Sequence, residues 1–321
     1  MKIPYKIKIP LLICAVLLFS TAAFGIAGKI SGGRSDLPML FGATYMTMNN
    51  PFFEVLNDSI ADVVESNGDI LISRDPARDQ QKQNAQIQEM IEEGIKVLFL
   101  NPVDWKGVRP ALEACRQAGV AVINIDTLVY DTGYVVSIIE SDNYGAGVLC
   151  ALDLMEKRSK ARIIVLDSPI TASITQRVQG FLDTIEPYPQ YEVVYTEACH
   201  GELEIALDVM SRILLEQKHD FDVVLGGNDP TAIGAVAALQ QSRRGDGVLI
   251  YGIDGSPDFM VMLKEGLATA TSVQSPKTIG TVAAETAYQY LSGEDVPEYI
   301  RIPVTLLTKE TLEEILIIDW Q

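Results

Sequence analysis

Five polar side chains stand where apolar runs end: Asn101 after Val97–Leu100, Asp126 after Val120–Ile125, Asn228 beyond Val223–Leu225, Asp254 after Val248–Ile253, and Gln274 after Ala268–Val273. An amide both donates and accepts, and an ionised carboxylate accepts through two oxygens. In open α/β sheets ligands sit at the carboxyl ends of parallel strands. These groups therefore describe a polar pocket for a molecule covered in hydroxyls. Catalytic patterns are missing. There is no Gly-x-Ser-x-Gly elbow, no phosphate-binding Gly-rich Lys loop and no dinucleotide fingerprint after a strand. The only histidines, His200 and His219, lie in different contexts. Asp126 and Asp254 could be imagined as a glycosidase pair, but binding pockets use the same carboxylates. The expectation is a binding protein, not an enzyme, with no cofactor and no metal site.

The elements needed to hold such a pocket alternate regularly. Strands are expected at 38–45, 69–73, 97–100 and 120–125, with helices at 52–66, 80–93 and 108–118 between or beside them. A second series has helices at 144–157, 173–185, 202–217, 229–241, 257–265 and 276–291, with strands at 162–166, 193–196, 222–225, 248–253 and 268–273. The strands are continuous Val/Ile/Leu runs, the pattern of sheets covered on both faces. The fold class expected is α/β, with two doubly wound parallel-sheet lobes. An apolar run at 312–318 is expected to pack on a lobe.

Bulk properties narrow the function. The chain has 321 residues, 48% of them apolar, enough for two domains. Its formal charge is −18, and Lys2, Lys6 and Lys8 lie in the first eight positions, so the body is more acidic still. Nucleic acid, which needs a basic face, is excluded as a partner. Residues 1–27 read as a signal peptide or membrane anchor: a basic flank, an uncharged stretch from Ile9 to Ala27, and small residues near Gly25-Ile26-Ala27. Cys14 follows Ile13 rather than a small residue, which argues against a lipid anchor. Either way the body is extracytoplasmic, in the periplasm or on the outer face of the membrane. Residues 28–37 are Gly/Ser-rich and read as a linker. Cys115, Cys150 and Cys199 lack metal spacing; Cys115 and Cys150 fall on apolar helix faces and read as buried apolar residues, while Cys199 falls in a loop with His200, where a metal or redox pair would need partners the sequence does not offer.

One ordered series of motifs carries a resemblance. It runs Asn49-Asn50-Pro51-Phe52-Phe53, Asn101-Pro102-Val103-Asp104, Ser141-Asp142-Asn143, Arg177-Val178-Gln179-Gly180-Phe181, Asn228-Asp229-Pro230, Gly252-Ile253-Asp254-Gly255-Ser256-Pro257-Asp258 and Gln274-Ser275-Pro276. From Pro38 to Leu307 this resembles the type I periplasmic sugar-binding proteins, most closely the ribose-binding group. The resemblance implies two lobes joined by a three-strand hinge near 141–143, 274–276 and 301–304. The lobes would be 38–141 plus 276–302 and 142–275 plus 303–321. It implies a monosaccharide or polyol ligand and a partner that is the membrane permease of an ABC transporter, the chain acting as a monomer. A membrane-tethered sensor presenting its ligand to a receptor or histidine kinase is the alternative. A sugar-responsive repressor shares the lobes, but residues 1–27 leave no room for a helix-turn-helix.

The same resemblance implies the ligand-binding residues Met46, Asn50, Phe52, Phe53, Asn101, Asp126, Thr127, Arg177, Asn228, Asp254 and Gln274. Phe52 and Phe53 would flank the sugar's apolar C–H faces. Two neighbouring residues cannot both face one core, so at least one is expected to point elsewhere. Asp126 and Asp254 would accept from hydroxyls, and Arg177 would donate. Simpler roles compete: helix caps for Asn101, Asp126 and Asn228, and a solvated helix face for Arg177. Asp104, Asp229 and Asp258 are assigned to capping or solvent. Two carboxylates and one guanidinium leave the pocket near −1, which disfavours anionic ligands, suits a neutral sugar and allows a cation. Three positions depart from the ribose pattern. Thr127 stands where that group has arginine, Cys199-His200-Gly201-Glu202 lacks its aromatic, and Met46 replaces a small polar residue. Trp105, Tyr130 and His200 are nearby candidates to refill the space.

Overall fold

The computed structural model describes residues 37–217, 220–312 and 320. The targeting segment, nearly all of the linker and most of the 312–318 run lie outside the described residues. Two six-stranded sheets organise the rest. The first holds β1 (Leu40–Thr44), β2 (Ile70–Arg74), β3 (Val97–Leu100), β4 (Ala121–Ile125), β5 (Ser137–Ser141) and β11 (Tyr299–Ile302), in the order β11-β5-β4-β3-β1-β2. Helices α1 (Pro51–Ser66) and α9 (Pro276–Leu291) cover one face, α2 (Gln80–Glu93) and α3 (Arg109–Ala118) the other. The second sheet holds β6 (Ala161–Asp167), β7 (Tyr191–Ala198), β8 (Val223–Gly226), β9 (Leu249–Asp254), β10 (Ala270–Val273) and β12 (Thr305–Thr308), in the order β12-β10-β9-β8-β6-β7. Its faces are covered by α4 (Asn143–Lys157) and α5 (Ala172–Ile185) on one side. On the other lie α6 (Leu203–Glu216), α7 (Asp229–Ser242) and α8 (Pro257–Glu265), with α10 (Lys309–Leu312) beside them. Each lobe is thus a helix–sheet–helix sandwich with an apolar layer on either face of its sheet, as continuous apolar strands require.

Strands β5, β11 and β12 all lie where the sequence reading placed no strand, and two of them have identifiable causes. Strand β5 is not singled out by patterning, because Ser137, Glu140 and Ser141 interrupt its short apolar run. It is nonetheless buried throughout. Ser137 Oγ donates to Pro297 O at 2.7 Å, and Tyr299 donates its hydroxyl to Glu140, so β11 and the segment leading into it satisfy two of the three polar side chains; Ser141 Oγ stays without a partner. The second is β12, which pairs with β10 antiparallel while every other pair is parallel. The cause is connectivity. β11 runs parallel to β5 and leaves the first sheet at its carboxyl edge, and only Pro303 and Val304 separate it from β12. The chain must therefore enter the second sheet at that sheet's own carboxyl edge and run against its strands.

The chain changes sheets between β5 and α4, between β10 and α9, and between β11 and β12. The two carboxyl edges are thereby held facing each other. Helix starts at these edges are fixed by local chemistry. Asn50 caps α1, accepting from Phe52 N–H at 3.0 Å, with Pro51 at the first helical position. Asn228 and Thr231 form a reciprocal capping box on α7.

Helices α4 and α5 touch backbone to backbone. A Cβ at Gly147 would lie 1.8 Å from Arg177 O, and one at Gly180 would lie 2.1 Å from Tyr144 O. This contact sets the Arg177 side chain against Asn143. Gly180→Ala is expected to force the helices apart and destabilise the protein by about 1–3 kcal/mol, read as a lower guanidinium unfolding midpoint. An unchanged midpoint would contradict the close packing.

Candidate ligand-binding cleft

Between the two carboxyl edges lies a narrow cavity of about 30 Å³, lined from both lobes. Met46, Asn50, Phe52, Phe53 and Asp126 line it from the first lobe. Arg177, Asn228 and Asp254 line it from the second, and Gln274 from the crossing after β10. Those nine come from the eleven residues expected at the site. The other two, Asn101 and Thr127, lie behind its wall.

Asp126 occupies the end of β4 with φ +62°, a left-handed conformation that Asp tolerates better than most residues. Its Oδ2 accepts from Asn101 Nδ2 at 2.8 Å. Asn101 Oδ1 accepts in turn from Met46 N–H at 2.9 Å. Asn101 is therefore neither a helix cap nor a lining residue: it is fully buried and holds Asp126 and the β1 turn in register. Burial pushes the Asp126 carboxyl up to about 7, with Arg177 pulling it down and Asp254 and Glu140 adding to the rise.

Arg177 is 3% exposed, which removes the solvated-face reading. Its Nε donates to Asn143 Oδ1 at 2.9 Å, and its Nη1 donates to Gly227 O at 3.1 Å and to Asp254 Oδ1 at 3.3 Å. Asp254 also accepts from Gln274 Nε2 at 2.7 Å and from Asp229 N–H at 3.3 Å. With Nε2 committed, Gln274 Oε1 is a buried acceptor without a hydrogen-bond partner. Asn228 keeps its capping role, and its Nδ2 donates to Gly201 O at 3.1 Å.

Asp229 corrects its assignment to capping or solvent. It is fully buried beneath Asp254, accepting from Ser256 N–H at 2.7 Å and from Thr271 Oγ1 at 2.8 Å. Burial, with the neighbouring Asp254 charge, pushes it up to about 7. Glu140, raised by burial, is a further carboxylate close enough to feel Arg177. The tally of two carboxylates and one guanidinium was thus too short. It omitted Asp229, Glu140 and also Arg78, which lines the cavity.

Both aromatics at the start of α1 are buried, Phe52 at 2% and Phe53 at 4% exposure, and both border the cavity and the first-lobe core together. The expectation that one must point elsewhere fails. Their rings meet edge-on at 5.4 Å, and a helix start at a sheet edge lets adjacent side chains splay between core and cleft. Trp105 and Tyr130 do not refill the space. They form their own ring pair at 5.6 Å under Lys106, away from the cavity. His200 does line it. Cys199 is buried, with its thiol pushed up to about 12, and shares no metal cluster among the described residues.

The lobes touch across the cleft. Thr127 donates its hydroxyl to Ser173 Oγ at 2.6 Å and accepts from Ser173 N–H at 2.9 Å. Arg78 donates to His200 O at 3.0 Å and lies 3.5 Å from Glu202. The expected arginine position, now Thr127, thus serves contact between lobes rather than the cavity. Arg78, Thr171, Ser173, Ile174 and Gly201 also line the cavity and were not anticipated. Arg78 and Ser173 reach it through partners remote in sequence, and no local spacing marks the five.

Residues 41–295 match the periplasmic binding protein domain family. The chain belongs to it. Among relatives, a ribose import binding protein of Bacillus subtilis (strain 168) is 30% identical over 282 residues, covering 87% of this chain and 90% of its own. A D-apiose import binding protein of Paraburkholderia graminis is 31% identical, over 86% and 89% of the two chains. An ABC transporter solute-binding protein of Mycobacterium smegmatis, solved with bound glycerol, superposes with a TM-score of 0.81 at 28% identity, over 86% and 96%. This periplasmic binding protein therefore has the type I two-lobed fold and belongs to a family of transporter components rather than of enzymes. Membership implies an extracytoplasmic location. Among the described residues no helix is long and apolar enough to cross a membrane.

Proposed function

We propose that this protein binds a neutral monosaccharide or polyol in the interlobe cleft and delivers it to the permease of an ABC importer. The observation that carries the reading is Gln274 Oε1. It is a buried acceptor with no partner, in a cavity that also offers Asp126, Asp254, Arg177 and two aromatic edges. Leaving a buried acceptor unpaired costs about 1–3 kcal/mol, and a ligand hydroxyl donating to it would recover that loss. Phe52 and Phe53 supply apolar surface for a ring's C–H face, and Arg177 Nη2 supplies donors. Contacts drawn from both lobes are complete only when the lobes are closed, so the ligand favours closure. The import roles in the names of the relatives favour transport over sensing. The protein acts as a monomer, and residues 1–27 export it or anchor it at the membrane.

A thermal-shift panel of D-ribose, L-arabinose, D-allose, myo-inositol and glycerol tests this. At about a hundredfold excess over Kd, the bound ligand is expected to stabilise by about 2.7 kcal/mol, or roughly 5–10 °C. No shift with any member would count against the proposal.

Affinity should also depend on pH. Hydroxyl donors favour ionised Asp126, whose pKa rises from 3.8 to about 7, so acid must first be displaced before ligand binds. Affinity is expected to weaken as pH falls through 7. The unliganded protein moves the other way. A carboxyl with a raised native pKa binds its proton more tightly when folded, so between about 3.8 and 7 this group's contribution to stability falls as pH rises. Titration calorimetry from about pH 5.5 to about pH 8 on wild type and Asp126→Asn separates the effect. A wild-type slope identical to that of the variant would assign the dependence elsewhere.

A further inference from the structure

Trp320 packs on the lobe opposite to the strand that precedes it. β12 belongs to the second sheet, and Leu312 packs on the second-lobe core. Trp320 instead lies in the first-lobe core at 6% exposure, its ring edge-on to Phe52 at 5.5 Å and 77°. Phe52 borders the sugar cavity. Trp320 also borders the adjoining opening, which shares Asn50, Arg78, Gly201 and Asp254 with that cavity. Trp320 is thus one ring removed from the cavity.

We propose that Trp320 is a positioning residue for the bound sugar, holding the Phe52 ring in the orientation that presents its face or edge to the ligand. The inference rests on the sugar-binding reading above. Phe52 is anchored by its backbone at the first turn of α1 and packs edge-on against Phe53. Trp320 is a second ring edge-on to Phe52, so the ring contacts run from Tyr45 through Phe53 and Phe52 to Trp320. Edge-to-face pairs favour one mutual orientation over its alternatives, so an ordered Phe52 is a ring whose rotamer freedom is spent on folding rather than on binding. A tryptophan that served only the core would change stability and leave affinity alone.

The test is titration calorimetry of wild type, Trp320→Ala and Trp320→Phe with the panel sugar that wild type binds most tightly, alongside unfolding midpoints of the unliganded proteins. Trp320→Ala is expected to weaken binding about tenfold, and Trp320→Phe to stay within about threefold of wild type. Because the chain has only two tryptophans, Trp105→Phe leaves Trp320 as the sole reporter, and its emission should change on saturation with the same sugar. A Trp320→Ala affinity within about twofold of wild type overturns the inference. If that variant fails to fold, unaltered Trp320 emission in Trp105→Phe overturns it instead. Should no panel sugar bind wild type, the sugar-binding reading itself fails and takes this inference with it; binding by wild type with an indifferent Trp320 fails the inference alone.

Discussion

Arg177→Ala is expected to abolish measurable sugar binding and to destabilise the unliganded protein by about 3–5 kcal/mol near pH 8. The reason is an imbalance of buried charge. Asp126, Asp229, Asp254 and Glu140 are all buried around one buried guanidinium, and Asp254 contacts it directly at 3.3 Å. Taking away that cation leaves carboxylates in a medium that solvates them poorly, a loss larger than that of the ion pair itself. Asn143 Oδ1 and Gly227 O would also lose their donor. The cost should shrink in acid. Burial already lifts Asp126 and Asp229 to about 7, so near pH 5.5 protons can replace the missing charge. Guanidinium unfolding of wild type and variant at both pH values measures the difference, and a penalty that does not change with pH would contradict the charge argument.

The architecture was legible because its signals are local. Continuous apolar runs mark strands, and Gly94, Gly119 and Gly266 in left-handed conformations close helices, without reference to their neighbours. Strand β5 was not legible, since its burial depends on Pro297 and Tyr299 about 160 residues away. The antiparallel β12 follows from connectivity, which the strand's composition does not encode. At the site, a polar residue after an apolar strand reports position along the sheet edge but not the direction of its side chain. Asp126 and Asn101 look alike in sequence, yet one borders the cavity and the other holds it from behind. Asp229 follows a capping residue and looks like one more first-turn acid. Its burial is visible only once Ser256 and Thr271 are seen to donate to it. Arg78 and Trp320 reach the cleft through tertiary packing and carry no spacing that would reveal them.

Asp254→Asn is expected to reduce sugar affinity by about two to three orders of magnitude while leaving the unliganded fold near pH 8 much less affected than Arg177→Ala leaves it. Asp254 is the junction of the second-lobe half of the cleft: it accepts from Arg177, Gln274 and the Asp229 backbone at once. An asparagine fills the same volume but can accept through only one of its two terminal atoms. Either Arg177 and Gln274 or the Asp229 N–H then loses its acceptor, and the donors meant for a hydroxyl lose their fixed directions. Electrostatics work the other way for stability. Asp254 and Asp229 repel each other, and each raises the other's carboxyl environment in energy, so removing one charge relieves the second. Arg177 still retains Asp126 and Glu140 as countercharges. One junction therefore separates two quantities that usually fall together. Calorimetric titration and guanidinium unfolding on the same Asp254→Asn sample read them apart, and a variant that binds like wild type would remove Asp254 from the site.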